Sequence, residues 1–342
     1  MTNSNPIRIG ILGAAGIVPM ALTSPARHLH RAAFGAVQVS MPEVQVTAIA
    51  ARDPKRAEKF ARRNHIPHVH QTYESLLDDP EIDAIYNPLP NGLHAEWTIR
   101  ALRAGKHVLC EKPFASNAKE AMEMANAAQK TGKVLSEAFA YRTHPLTARL
   151  KEVMTNEEIG KIQKIEARFS FLNLNLSNIR YRYDLAGGAQ MDAGCYPVSL
   201  VRFLVGEEPT VTSAKARLIR PQVDSRMESQ LSFPSGVEAH VTCDMLSPKL
   251  FDSFLKVQGD AGEMTVISPF QPHWFHLITI RNAKGVKRGR IKGENAYVSQ
   301  LRAFANAIHS GTPFNTNPED AVNNMRVIDA IYEKAGLALR GM

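Results

Sequence analysis

Ile7-Arg8-Ile9-Gly10-Ile11-Leu12-Gly13-Ala14-Ala15-Gly16-Ile17-Val18 is the stretch on which the fold turns. An apolar run of strand length ends in glycine, and small residues lead on towards a helix. A phosphate-binding strand–turn–helix needs that order: a tight turn, backbone room for an anion, and unpaired N–H groups at a helix start. Gly13 makes the turn. In a G-x-G-x-x-G frame begun there, Ala15 and Val18 stand where the second and third glycines would be, so the match is partial. Gly13, Ala14, Ala15, Gly16 and Ile17 are the expected pyrophosphate contacts.

Outward from this turn, strand-like segments 44–51, 84–86, 108–110 and 134–138 alternate with helix-like 54–63, 73–77, 94–104 and 118–130. Pro54 starts the first of these helices, and Ala57, Phe60 and Ala61 give it an apolar face. Alternation of this kind predicts a parallel, doubly wound sheet of Rossmann type. The pattern changes after residue 143. A helix over 145–154 is followed by strand-like 162–171, 210–218, 227–233, 237–244, 255–259 and 263–268, with Ser235-Gly236 as a hairpin turn. These predict an α+β domain with a large, mainly antiparallel sheet, one face of it covered. Helices are expected over 198–205, 296–310 and 318–339. The α/β chain therefore divides into a dinucleotide-binding domain over 1–143, a second domain over 144–317 and a closing helix within 318–342.

The 342 residues suit two domains, and 44% hydrophobic with 22% charged residues describes a globular chain with a sizeable core. No apolar run approaches the roughly 20 residues of a membrane span. Met1–Pro6 lacks the basic start and apolar run of a secretory leader, so the expected setting is cytoplasmic. The net charge is +8. The basic residues are scattered, and the densest group, Lys284–Lys292, reads as a solvated strand edge or loop, so nucleic acid is not an expected partner. Cys110, Cys195 and Cys243 are far apart and odd in number, which suits buried free thiols rather than disulfides or zinc. No metal-ligand spacing occurs, and His107, His240 and His309 read as structural.

At the end of the second strand, where an acid would hold the ribose of NAD, stand Ala51, Arg52 and Asp53. Arg52 can pair with a 2′-phosphate or stack on adenine, or be a surface arginine. Asp53 can instead cap the following helix. NADP is expected over NAD. Lys112, in Glu111-Lys112-Pro113 after the fourth strand, can hold a substrate oxygen, or be a solvated lysine in a turn. Asp192 and Tyr196 lie four apart in Gly187-Gly188-Ala189-Gln190-Met191-Asp192-Ala193-Gly194-Cys195-Tyr196-Pro197 and share a face on a helical turn. Tyrosine can exchange a proton with a carbonyl. Alternatively, Asp192 caps the next helix and Tyr196 packs at its base.

The glycine turn, Asn87-Pro88-Leu89-Pro90-Asn91-Gly92-Leu93-His94, Glu111-Lys112-Pro113, Glu137-Ala138-Phe139-Ala140-Tyr141-Arg142-Thr143-His144-Pro145 and the Asp192–Tyr196 cluster stand in the order found in one family. Along essentially its whole length the chain resembles the glucose–fructose oxidoreductase / inositol dehydrogenase (Gfo/Idh/MocA) family. Within it, the Asp-x-Gly-x-Tyr-Pro motif is most similar to the branch of dimeric dihydrodiol dehydrogenases and NADP-dependent D-xylose dehydrogenases. The resemblance implies that Lys112 is the catalytic lysine, Tyr196 the acid/base and Asp192 a holder of substrate hydroxyls. It implies cofactor contacts at Asn87, Pro88, Leu89, Asn91, His94, Glu111, Lys112 and Glu137, with Pro90 in the same segment, and places Arg142 and His144 at the substrate. It implies a homodimer through the second domain's open sheet, and a last helix packed on the first domain.

Two departures stand out: Ala189 replaces a usual glycine, which would narrow the approach to substrate, and Ala51 replaces a serine beside Arg52. The expected activity is hydride transfer between a nicotinamide and a hydroxyl- or carbonyl-bearing carbon of a sugar or polyol. A reductase of a keto-sugar, diketone or imine is the alternative; a non-catalytic nucleotide-binding regulator would not need both Lys112 and Tyr196. Loops 173–182, 221–226 and 268–276 shape the pocket, and Trp274, Phe275, Phe169 and Phe171 either line it or pack strands.

Overall fold

A computed structural model describes residues 5–26, 29–32, 35–38 and 43–341. Its strands are β1 (Ile7–Leu12), β2 (Leu29–Ala32), β3 (Gly35–Gln38), β4 (Val44–Ala50), β5 (His68–His70), β6 (Ala84–Asn87), β7 (His107–Cys110), β8 (Leu135–Glu137), β9 (Ile162–Leu172), β10 (Thr210–Arg220), β11 (Val223–Ser232), β12 (Glu238–Asp244), β13 (Leu246–Gly259), β14 (Gly262–Ile267), β15 (Leu277–Asn282) and β16 (Gly285–Gly289). Its α-helices are α1 (Ser24–Ala26), α2 (Pro54–Asn64), α3 (Tyr73–Leu77), α4 (His94–Arg103), α5 (Ala118–Thr131), α6 (Pro145–Thr155), α7 (Cys195–Val205), α8 (Ala296–Ser310) and α9 (Pro318–Lys334). The first compact unit holds the described residues up to Phe114, Lys119–Ala140 and Tyr297–Ala321. The second holds Ala115–Ala118, Tyr141–Ala296 and the described residues from Val322 onward.

In the first unit six parallel strands run in the order β5-β4-β1-β6-β7-β8. The expected doubly wound sheet is present, and its order reverses between β1 and β6. Ligands of such sheets bind at that switch, beyond the carboxyl ends of the strands. Ile9, Ile11, Ile49 and Ile85 are buried, as strands covered on both faces require. Asp53 caps α2, accepting from the backbone N–H of Lys55 and Arg56, with Pro54 in the first turn. β2 and β3 pair antiparallel in a separate two-stranded sheet that the sequence pattern did not suggest.

The second unit is built on an eight-stranded sheet in the order β10-β11-β12-β9-β13-β14-β15-β16. Only β9 and β12 pair in parallel; the other neighbours are antiparallel. Alternate residues face the core: Met227 and Leu231 on β11, Ala239, Val241 and Cys243 on β12, Leu255 and Val257 on β13. Helix α7 lies against β9 and β12 and covers that face. Strand β13 begins at Leu246, nine residues before the expected start at 255. A register shift between Leu246 and Phe251 breaks the alternation there, so the period-2 signal starts late. β15 and β16 are further additions. β16 is an exposed edge strand carrying Lys287 and Arg288, which accounts for the basic cluster as a solvated strand edge.

The closing helix differs from expectation. The chain from Val322 onward, containing most of α9, belongs to the second unit rather than the first. Asn324 donates to the Cys195 carbonyl (3.5 Å) and the Tyr332 hydroxyl to Asp224 (3.0 Å). The helix that completes the first core is α8, whose Val298, Leu301, Phe304, Ala305 and Ala307 pack with Ile9 and Ile49. Both helices carry an apolar stripe of helical period, and such a stripe fixes a buried face but not its partner.

The three cysteines are buried and free. Among the described residues no helix is long and apolar enough to cross a membrane. No group of three or more His, Cys, Asp or Glu among them could hold a metal ion.

Candidate active site

In the first unit the chain leaves β1 through Gly13, whose φ of +88° suits glycine. A Cβ there would stand 3.0 Å from Leu89 Cδ2. The Gly13 amide donates to the Ala50 carbonyl (2.7 Å), which ties the turn to the end of β4. Among the described residues, the amides of Ala14, Ala15, Gly16 and Ile17 donate to no acceptor, and a Cβ on Gly16 would meet no protein atom within 4 Å. Successive free amides open to approach form an anion cradle.

Arg52 is exposed just past β4, and Asp53 is spent on the α2 cap. No acid is therefore left there for ribose hydroxyls, while a guanidinium is. Two neighbours escaped the sequence reading. Arg56 donates to the Ala14 carbonyl (3.0 Å), and the Tyr73 hydroxyl stands 3.6 Å from where a Gly13 Cβ would be. Tyr73 also packs edge-on against Trp97, 4.7 Å between centroids. Free amides with a cation in place of the acid fit a dinucleotide bearing a 2′-phosphate.

The remaining first-unit candidates form the frame of the strand ends. Asn87 is fully buried. Its amide nitrogen donates to the His94 carbonyl (3.2 Å) and Thr98 Oγ1 (3.0 Å), and its oxygen accepts from the Leu89 amide (3.3 Å). It shapes the turn over 88–93 that carries Pro88, Leu89, Pro90 and Asn91. The His94 ring is buried between two carbonyls, Pro113 (2.9 Å) and Leu89 (2.7 Å). Two acceptors favour the charged ring, but burial outweighs them and pushes its pKa down to about 4. A neutral ring donates to only one of the two. Asn87 and His94, expected at the cofactor, are thus committed to holding the backbone. Glu111 is buried and accepts from the Tyr86 hydroxyl (2.6 Å) and from the Lys112 amide (3.3 Å). Burial, then Glu111, pushes the Tyr86 phenol well up. Lys112 is half-buried. Glu137 is buried at the end of β8, where its backbone pairs with Thr316.

In the second unit, Gln190–Gly194 form a π-helical turn that runs into α7. Such turns cluster at functional sites. This one presents Asp192 and Tyr196, both half-buried. Asp192 Oδ2 accepts from Arg180 Nε (2.7 Å), and Asp192 raises the Arg180 pKa. Arg180 was missed: it sits in the 173–182 loop, and no periodicity links it to Asp192. The Tyr196 ring lies among Phe169 (5.0 Å), Phe270 (5.6 Å) and Tyr141 (6.0 Å). Phe169 also touches Phe171 and Phe251, each at 5.9 Å. Phe251 in turn lines a cavity of about 440 Å³ with Asp252, Phe254, Ile267, Trp274 and Phe275. Trp274 and Phe275 are both exposed beside this cavity, which holds neither Asp192 nor Tyr196.

The glycines of this motif serve the protein's own packing. A Cβ on Gly187 would stand 2.6 Å from the Arg180 carbonyl oxygen, and one on Gly194 2.5 Å from Gln190 Oε1. Ala189 is fully buried, so it does not narrow an open approach as expected. Arg142 and His144 also depart from expectation. Arg142 is buried, donates to Ser199 Oγ (3.2 Å) and stacks over Phe203 at 4.1 Å. His144 is buried and caps α6, its Nδ1 accepting from the Leu146 amide (3.1 Å).

Comparison with known proteins gives the family of both units. The profile described as "Oxidoreductase family, NAD-binding Rossmann fold" matches residues 7–139, and the "GFO/IDH/MocA C-terminal domain" matches 147–265. A "D-xylose 1-dehydrogenase (NADP(+)) 2" from Haloferax volcanii is 36% identical over 95% of this chain and 96% of its own. A "Trans-1,2-dihydrobenzene-1,2-diol dehydrogenase" from Sus scrofa is 32% identical over 77% of this chain and 75% of its own. The crystal structure of KijD10, a 3-ketoreductase from Actinomadura kijaniata in complex with NADP and TDP-benzene, superposes with a TM-score of 0.87 at 29% identity, covering 96% of this chain and 98% of that one.

Burial, then His276 and His273, depresses the His144 pKa to about 4, against an ordinary value of 6.5. Between those values the unfolded chain binds a proton that the native ring does not, so stability falls as pH drops from 6.5 towards 4. His144→Asn keeps a capping acceptor and removes the titration. Thermal midpoints across that window are expected to fall less steeply in the variant; an unchanged slope would remove His144 from the acid response.

Proposed function

The chain belongs to the Gfo/Idh/MocA oxidoreductase family, and from that premise we propose that it is an NADP-dependent dehydrogenase of sugars or related polyols. The observation that carries this reading is Tyr196, a half-buried phenol in an aromatic surround beside the Asp192–Arg180 pair. An aromatic wall with a charged pair at its edge suits a ring of hydroxyl-bearing carbons: apolar faces stack, and hydroxyls find a carboxylate and a guanidinium.

NADP, when bound, supplies or accepts the hydride. Ala14, Ala15, Gly16 and Ile17 hold its pyrophosphate by their amides, and Arg52 holds the 2′-phosphate. Glu111 and Glu137, with the turn over 88–91, frame its nicotinamide end. Tyr196 exchanges the proton of the substrate hydroxyl. Asp192, oriented by Arg180, accepts from a neighbouring hydroxyl. Lys112 stabilises negative charge on the reacting oxygen. The same residues serve reduction of a keto-sugar in reverse, and the likeness to a 3-ketoreductase favours that as the second reading. A homodimer through the uncovered face of the eight-stranded sheet belongs to the proposal. Glu166, Arg168, Arg226 and Glu228 alternate in sign there, as a self-complementary contact would use. Three buried free thiols suit a reducing, cytoplasmic setting.

Aldoses, polyols and keto-sugars screened by NADPH absorbance in both directions test the activity. Tyr196→Phe is expected to lower kcat by about 10²–10⁴-fold and leave NADP affinity unchanged. Lys112→Ala should lose more. Near-normal turnover of the Phe variant would dismiss the acid/base role.

Arg52→Ala is expected to cut the kcat/KM preference for NADP over NAD by about tenfold to a hundredfold, the worth of one charge-assisted hydrogen bond. A wild-type preference for NAD would overturn the assignment.

A further inference from the structure

We propose that Asp224 and Arg340, which touch neither substrate nor cofactor, are positioning residues that set the backbone of the turn bearing Asp192 and Tyr196. The proposal deepens the function reading above and rests on it.

Both side chains are fully buried, and Arg340 Nη2 lies 3.0 Å from Asp224 Oδ1. A buried ion pair seldom stabilises more than apolar residues of the same volume, so stability alone gives little reason for it. Its remaining bonds point to another use. Asp224 Oδ2 accepts from the Gln190 amide (2.7 Å), the first residue of the π-helical turn. Arg340 Nε donates to the Gly187 carbonyl (2.9 Å). The pair thus grips the entry to the turn at a carbonyl and an amide three residues apart. Gly188 lies between them, and its carbonyl accepts from the Asp192 amide (3.0 Å). A Cβ on Gly188 would stand 2.2 Å from Asp224 Oδ1 and 2.8 Å from the Tyr332 hydroxyl oxygen. The glycine is there because the carboxylate is.

The pair is itself fixed. The Tyr332 hydroxyl donates to Asp224 Oδ1 (3.0 Å), Arg340 Nη1 donates to the Ala338 carbonyl (2.8 Å), and the guanidinium stacks over Tyr332 at 4.0 Å. Strand β11, helix α9 and the segment after it converge on one turn of backbone. Lysine in place of Arg340 keeps the charge but has no rigid fork to reach Asp224 and the Gly187 carbonyl together.

Hydrogen exchange of the peptide spanning 187–196, NADP affinity and steady-state kinetics are compared for wild type, Arg340→Lys and Arg340→Ala. Exchange in the peptide is expected to rise at least tenfold and kcat to fall at least tenfold. KM should rise as well, because Asp192 rides on the same turn, NADP affinity should not change, and millimolar guanidinium should restore kcat in Arg340→Ala. If Arg340→Ala does not fold, Arg340→Lys carries the test. Unchanged exchange in the turn, or faster exchange with unaltered kcat, overturns the positioning role. Faster exchange beside a wild type that turns over no sugar in either direction overturns the function reading instead, so the two failures are told apart.

Discussion

At Gly13 the backbone leaves β1 with a positive φ and donates its amide to the Ala50 carbonyl. That bond ties the end of β1 to the end of β4, and the next four amides donate to no acceptor among the described residues. A residue with a side chain would meet Leu89 and pay for the left-handed conformation as well. The run of amides from Ala14 to Ile17, which donate to no acceptor among the described residues, follows from this turn. Charge then refines it. Asp53 is consumed by the α2 cap, so Arg52 is the charged group left at the strand end.

Much of this was legible in the sequence. The parallel sheet followed from alternating periods, and the hairpin at Ser235-Gly236 follows from its turn chemistry: Gly236 has φ +86° and bonds back to Phe233. Asp53 offered two roles, and Pro54 behind it favours the cap. What escaped depends on partners distant in sequence. Arg180 meets Asp192 only because a loop folds over it. His144 caps a helix although serine, threonine, aspartate and asparagine are the usual caps, so residue type misdirected the reading. The glycines of 187–194 are not room for a ligand. They are room for Arg180, Asp224 and Gln190, and sequence alone does not separate those uses.

The assignment of α8 and α9 to different units shows the same limit. Each has one apolar stripe, and each buries it. The difference lies in polar detail: Asn324 and Tyr332 on α9 find buried acceptors in the second unit, whereas α8 offers Phe304 and Leu301 to the first core. Periodicity records amphipathicity and is silent about which complementary surface a helix finds.

The two units use one device under the segments that carry Lys112 and Tyr196. In the first, buried Glu111 accepts from the Lys112 amide and from the Tyr86 hydroxyl. In the second, buried Asp224 accepts from the Gln190 amide and from the Tyr332 hydroxyl. Each carboxylate is desolvated, so it must be satisfied by donors with little freedom, and a backbone amide and a ring-borne hydroxyl have the least. Leaving such a carboxylate short of a donor costs more than the bond gains when made. That asymmetry makes it a firm clamp on the backbone beside it. Lys112 and Tyr196 themselves stay half-buried, while the backbone at the head of each segment is held by a buried carboxylate.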